Sequence, residues 1–275
     1  METRSAEDAS SALAGAQRFL AAQGASPELL RLRVFLGEAP QSALEETLAP
    51  RLGATRGDAC VALEVLEALA DAGSLRGGLA DRVAESLRAS QEPDGSWCAP
   101  GSAQPRVGES VRPPPLGSRD ALFLTAMLGA FLGRTARSHA AALSRAGGYL
   151  AAHWSPELVQ TGSWHAICGY AHFFSNVPHD LSDAVLQWCG RELERAYRVG
   201  AFGPARAARV FTLCGAHALP GAKLAAPELI PALLRTQSAD GGWPAPTTPL
   251  RVLETLWAAL ALVQLRPRSG RSTAR

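Results

Sequence analysis

The chain has 275 residues, 47% of them hydrophobic and 19% charged, with a formal net charge of +2. That composition supplies one large core and argues against a disordered tail or a coiled coil. The near-neutral balance, with arginines scattered over the chain rather than gathered in a stripe, speaks against nucleic acid as a partner.

Residues 1–8 carry no basic-then-apolar leader pattern and are expected to be disordered. No uninterrupted apolar run approaches the ~20 residues a membrane helix needs, so a cytoplasmic protein without a transmembrane segment is expected. The five cysteines, an odd number placed mostly within predicted helices, fit reduced thiols. Lys223 is the only lysine, a usage that reads as coding bias in a bacterial chain.

From residue 9 onward, apolar residues recur at three-and-four spacing between short Gly, Pro, Ser or Asp punctuations. The pattern predicts helices in six pairs: 9–23 with 27–37, 41–51 with 57–73, 77–91 with 118–133, 138–153 with 163–176, 181–198 with 205–218, and 224–237 with 248–265. The first helix of a pair is amphipathic and charged, as at Asp81, Arg82, Glu85 and Arg88. The second is richer in Ala, Leu and small residues, as from Val252 to Leu265. A helix apolar nearly all round must be buried on every side. The predicted fold is therefore all-α: an (α/α)6 toroid over residues 9–265, its inner helices backed by an outer ring. An open solenoid is the competing arrangement, but it requires polar end repeats, and Leu256 to Val263 is too apolar to face water. Residues 99–117, with Pro100, Pro105 and Pro113 to Pro115, read as a proline-rich loop, and 266–275 as a disordered basic tail.

One phrase occurs twice, at Gln91 to Trp97 and at Gln237 to Trp243, each time as Q-x-x-D-G-[S/G]-W after a helix. The Asp-Gly pair supplies a turn with a glycine at positive φ, and the Trp folds back as an apolar lid. Weaker copies lie at Gln160 to Trp164 and around Phe202. The repeat resembles the Gln-Trp repeat of the terpenoid cyclase and protein prenyltransferase superfamily, the α/α-toroid group that includes squalene-hopene cyclases. The resemblance implies inner helices around an apolar cavity, an isoprenoid or other long apolar substrate, and cyclisation or isomerisation as the activity. It also implies that Trp97, Trp164 and Trp243 are scaffold. Alternatives are a non-catalytic lipid-binding toroid and a zinc-dependent prenyltransferase β-subunit-like protein. A single ring falls short of the two usual in triterpene cyclases, and a partner chain would supply the second.

Neither of the motifs by which such cyclases resemble one another, D-x-D-D and D-D-x-x-D, occurs here. Asp58-Ala59-Cys60 matches the Asp-x-Cys that helps bind zinc in prenyltransferases, but the place of the expected His, near Phe123, holds none, and His165 would have to reach across the ring. Asp58 as a helix cap and Cys60 as a small hydrophobe is the alternative. His165, Cys168 and His172 share one helical face, and Arg209, Cys214 and His217 follow on the next inner helix. A carboxyl group inside an apolar ring acquires a raised pKa, the requirement for a general acid, which brings in Glu64, Glu67 and Glu254. Asp120 is the preferred carboxylate to meet a ligand. The candidate set is thus Asp120, Asp58 and His165 as catalytic, and His172, Cys168, Phe123, Glu254 and Trp257 as substrate-binding. Asp58, Cys60 and His165 are the weak metal candidates. No cofactor is identified.

Overall fold

The structure is a computed structural model that describes residues 2–24, 26–54, 57–98, 118–137, 139–157 and 164–265, the side chains of 2–6, 54 and 118–120 excepted. Among the described residues it is all-helical, with twelve helices and no strand. In chain order these are α1 (Glu2–Ala22), α2 (Pro27–Phe35), α3 (Gln41–Ala54), α4 (Ala59–Asp71), α5 (Gly78–Ser90), α6 (Ser118–Arg134), α7 (Ala140–Ala152), α8 (Trp164–Asn176), α9 (Ser182–Arg198), α10 (Pro204–Cys214), α11 (Ala226–Thr236) and α12 (Thr248–Gln264). Local chemistry sets many of the ends. Ser26, Asp58 and Thr247 accept backbone N–H bonds at the starts of α2, α4 and α12, and Pro27, Pro204 and Pro249 occupy first-turn positions where no N–H is needed. Gly215 closes α10 in the left-handed conformation.

The even-numbered helices contact one another in a cyclic series: α2 with α4, α4 with α6, α6 with α8, α8 with α10, α10 with α12, and α12 with α2. They carry much of the core, for example Leu66, Leu69, Phe131, Phe173, Phe211 and Leu260. The odd-numbered helices lie against them and turn charge outward. The amphipathic–apolar alternation thus appears where the periodicity predicts it. The pairing differs in one respect, because α5, α7 and α9 lean on the preceding apolar helices α4, α6 and α8 more than on the following ones. From α4 onward, each apolar helix and the amphipathic helix after it form the closer hairpin, whereas α3 leans on the following α4. α1 also begins at Glu2, so helix covers residues whose composition suggests disorder. Residues 99–117 and 266–275 lie outside the described residues, as does the repeat copy at 160–163.

The two full repeat copies form the same clamp, bond for bond. Gln91 Nε2 donates to the carbonyl of Gly95 at 2.9 Å and to that of Ala142 on α7 at 3.0 Å. Gln237 Nε2 donates to Gly241 O and to Ala12 O on α1, both at 2.8 Å. Each indole N–H reaches back one element, Trp97 to Leu87 O and Trp243 to Leu233 O, both at 2.9 Å. Each Trp backbone N–H reaches forward to a threonine hydroxyl on the next apolar helix, Thr125 at 2.9 Å and Thr255 at 3.0 Å. Asp94 and Asp240 accept the backbone N–H two residues on, and Gly95 and Gly241 sit at φ of +94° and +90°. These glycines also have no room for a side chain, since a Cβ would fall 2.3 Å from Arg145 O and 2.2 Å from Gly15 O. The clamp that joins α5 to its neighbour α7 therefore also joins α11 to α1, so the last amphipathic helix treats the first as the next in line.

Candidate functional site

The apolar helices run in one sense, because their N-terminal halves meet each other and so do their C-terminal halves. At the N-terminal end, Trp164 in the first turn of α8 stacks on Trp257 of α12, with ring centres 5.4 Å apart and planes 26° from parallel. His165 lies edge-on to both Trp164 and Phe123, at 5.0 and 5.4 Å. Arg206 of α10 bonds Glu254 of α12 at 2.7 Å and places its guanidinium 5.9 Å from the Trp164 ring centre. Trp164 Nε1 donates to Arg206 O at 3.2 Å. Glu254 is buried; burial raises its carboxyl above the ordinary value, and Arg206 pulls it back. Cys60, Val61, Phe123, His165, Ala166 and Arg206, all early in their helices, are only half-buried, whereas residues one or two turns deeper are enclosed. The N-terminal end is thus an aromatic-walled mouth.

The C-terminal halves of these helices enclose charge. Asp71, the last residue of α4, lies 2.6 Å from Arg209 Nη1 of α10 and 3.7 Å from Arg31 Nη1 of α2. Arg134, the last residue of α6, reaches His172 Nε2 of α8 and Leu213 O of α10, both at 3.4 Å. Arg209 also stands 5.6 Å from the Trp257 ring centre, which connects this hub to the mouth. Side chains from all six even-numbered helices therefore converge here. Burial pushes Asp71 upward while Arg209 and Arg31 draw it down. Burial, with Arg134 and Arg209 nearby, holds His172 well below the usual imidazole value, so the ring is neutral; it packs edge-on against Phe131 at 4.6 Å.

The predicted residues separate into these groups. Phe123, His165, Glu254 and Trp257 come together at the mouth, and His172 belongs to the hub on the opposite side of Trp257. Cys168 is buried in α8 between the two groups. Cys214 is buried at the end of α10, its thiol pushed up to about 12 by burial, while His217 is exposed. Asp58 caps α4, its Oδ1 accepting the N–H groups of Cys60 and Val61 at 2.9 and 3.3 Å. No group of three or more His, Cys, Asp or Glu side chains among the described residues is arranged to hold a metal ion, so Asp58, Cys60 and His165 do not form a ligand set. Glu64 pairs with Arg51 on α3, pointing outward, whereas Glu67 is buried beside Asp71. The side chain of Asp120 lies outside the described residues. Trp164 departs from the scaffold role of Trp97 and Trp243, because it begins an apolar helix and stacks across the mouth.

Arg31, Asp71, Arg134 and Arg206 were not singled out by sequence reasoning. The available signal was a charge inside an otherwise apolar segment, alone at Asp71 in Ala68 to Gly73 and shared with Arg33 at Arg31 in Leu29 to Leu36. None of the described helices is long and apolar enough to cross a membrane. Compared with protein-family models, curated proteins and solved structures, the chain matches none.

Proposed function

We propose that the protein is an (α/α)6 toroid of the terpenoid cyclase and prenyltransferase type whose aromatic mouth binds an apolar, isoprenoid-class ligand. The ring reading is supported by the cyclic order of apolar-helix contacts and by the Gln237 clamp, which ties α11 to α1 as Gln91 ties α5 to α7. The ligand reading rests on one observation: the stacked Trp164–Trp257 pair flanked by half-buried Phe123 and His165. Trp164 and Trp257 are themselves only 9% and 5% exposed, and Arg206 and Arg209 stand over their rings, so half-buried Phe123 and His165 are the surfaces that offer apolar contact to a branched hydrocarbon. The charged hub limits the depth of the site, because an apolar chain inserted among Asp71, Arg209 and Arg134 would desolvate them without replacing their contacts. The ligand therefore sits above Trp257 rather than threading the axis.

Binding without turnover is the better-supported form. Glu254 has the raised pKa of a general acid, and it lies one helical turn from Trp257, which favours a cyclising or isomerising reading. Its ion pair with Arg206 at 2.7 Å, however, holds it as a carboxylate. The zinc-transferase reading has the least support, since an Asp58 oxygen is engaged in capping α4.

Titration with farnesyl and geranylgeranyl diphosphate, squalene and its epoxide, followed by tryptophan fluorescence, tests the site. Saturable quenching is expected, weakened at least about tenfold in Trp257→Ala, a loss of roughly 1.4 kcal/mol. Trp188→Ala, on α9, should leave it unchanged. No saturable signal with any of the four would overturn the reading. Mass spectrometry of the same mixtures separates binding from turnover.

A further inference from the structure

A second site lies at the opposite end of the axis. The C-terminal ends of α4 and α6 border a cleft of about 410 Å³, walled by Ala70, Gly73, Arg76, Gly133, Arg134 and Thr135. Two of the lining residues are arginines, Arg134 at the end of α6 and Arg76 in the turn between α4 and α5, and neither forms an ion pair among the described residues. The nearest carboxylate, Asp71, is already engaged by Arg209 and Arg31. Arg134 has only two long bonds, both at 3.4 Å and both to neutral acceptors, although it is half-buried. Behind it, Arg209 is 4% exposed, and its Nη2 is buried without a hydrogen-bond partner. His172 beside them adds no negative charge. Three guanidiniums from the axis thus surround one engaged carboxylate, with Glu67 behind it and a fourth guanidinium at the rim. A half-buried guanidinium without a counter-charge is costly unless an anion is supplied.

We propose that this cleft binds a phosphate group on Arg76 and Arg134, at the end of the ring opposite the aromatic mouth. Donors approaching from a helix end and from a separate turn suit a tetrahedral, multiply charged oxyanion. A planar carboxylate would be satisfied by a single guanidinium fork. Arg209 deepens the positive field, whereas the Thr135 hydroxyl already donates its hydrogen to Leu132 O. The site is independent of what the mouth binds.

Thermal unfolding of the full chain in phosphate, sulfate, acetate and chloride at matched ionic strength tests it, with calorimetric titration of inorganic phosphate and glycerol 2-phosphate. Phosphate at ten times its dissociation constant should raise Tm by roughly 4 °C over chloride. Arg134→Met, which keeps the apolar stem, should abolish that rise. Arg76→Ala, at the exposed rim, cannot disturb the core and should weaken phosphate at least about tenfold. Tighter binding of glycerol 2-phosphate than of inorganic phosphate would support the site and assign it to a phosphorylated small molecule. Equal shifts in phosphate, acetate and chloride, or unchanged affinity in Arg76→Ala, would overturn the proposal.

Discussion

Each clamp tryptophan satisfies both of its N–H groups inside the fold, the indole on its own helix and the backbone on a threonine ahead. Trp243→Ala should therefore destabilise by about 3–5 kcal/mol in urea unfolding, and an unchanged midpoint would contradict the scaffold role. Gly241→Ala should cost at least about 1–3 kcal/mol through its positive φ alone, with more from the collision with Gly15 O. His172 supplies a pH dependence. Above the ordinary imidazole pKa of about 6.5, the folded and unfolded chains both keep it neutral. Below that, the unfolded chain takes up a proton that the buried ring refuses, so stability falls with pH until the depressed folded pKa is reached. Asp71 and Glu254, with raised values, act in the opposite sense, because their folded forms retain protons to higher pH. The His172 part is thus the difference between wild type and His172→Gln. Between about pH 7 and pH 5 the wild type should lose more stability than the variant, and parallel profiles would contradict a buried neutral ring.

At the scale of elements, single charges tie together helices that are otherwise greasy. Asp71 bridges α4 to α10 and α2, and removing it leaves two guanidiniums facing each other in the hub. Asp71→Ala should cost about 3–5 kcal/mol, whereas Asp71→Leu combined with Arg209→Met should recover part of that loss, because it removes the closer guanidinium and leaves only Arg31 without its carboxylate. A double variant as unstable as the single one would mean that the geometry of the pair, and not its charge, holds these helices. The amphipathic helices are held differently, α5, α7, α9 and α11 mainly by the apolar helix before each and α3 by the one after it, with a clamp at α5 and α11 to the next amphipathic helix.

Among the described residues the first helix meets the last two, since α1 packs on α11 and α12. Closure of this kind couples the first helix to the last, so a single cooperative unfolding transition is expected, with far-ultraviolet dichroism and tryptophan fluorescence coincident. Backbone amides of α1 should exchange hydrogen about as slowly as those of α11. Early exchange of α1, or two separated transitions, would indicate an end that frays as in an open repeat array. The two ends of the axis differ in chemistry, aromatic at the helix N-termini and cationic at the C-termini.

The helices, their alternation and the turn of each clamp were legible in the sequence because each depends on nearby residues: a 3.6-residue apolar period, an Asp-Gly turn, a Trp folding onto the helix just finished; the clamps' bonds to Ala142, Ala12, Thr125 and Thr255 were not. Phe123, His165, Glu254 and Trp257 were found by residue type on apolar helices, but nothing local revealed that Trp164 would leave the scaffold and join them. The hub was decided only by tertiary structure. Asp71, Arg209, Arg31 and Arg134 are each one charge among others on their own helices, and their meaning depends on which helices are brought side by side. The same holds for the helix against which each amphipathic segment leans. Packing of whole faces sets that choice, and no short stretch of chain contains it.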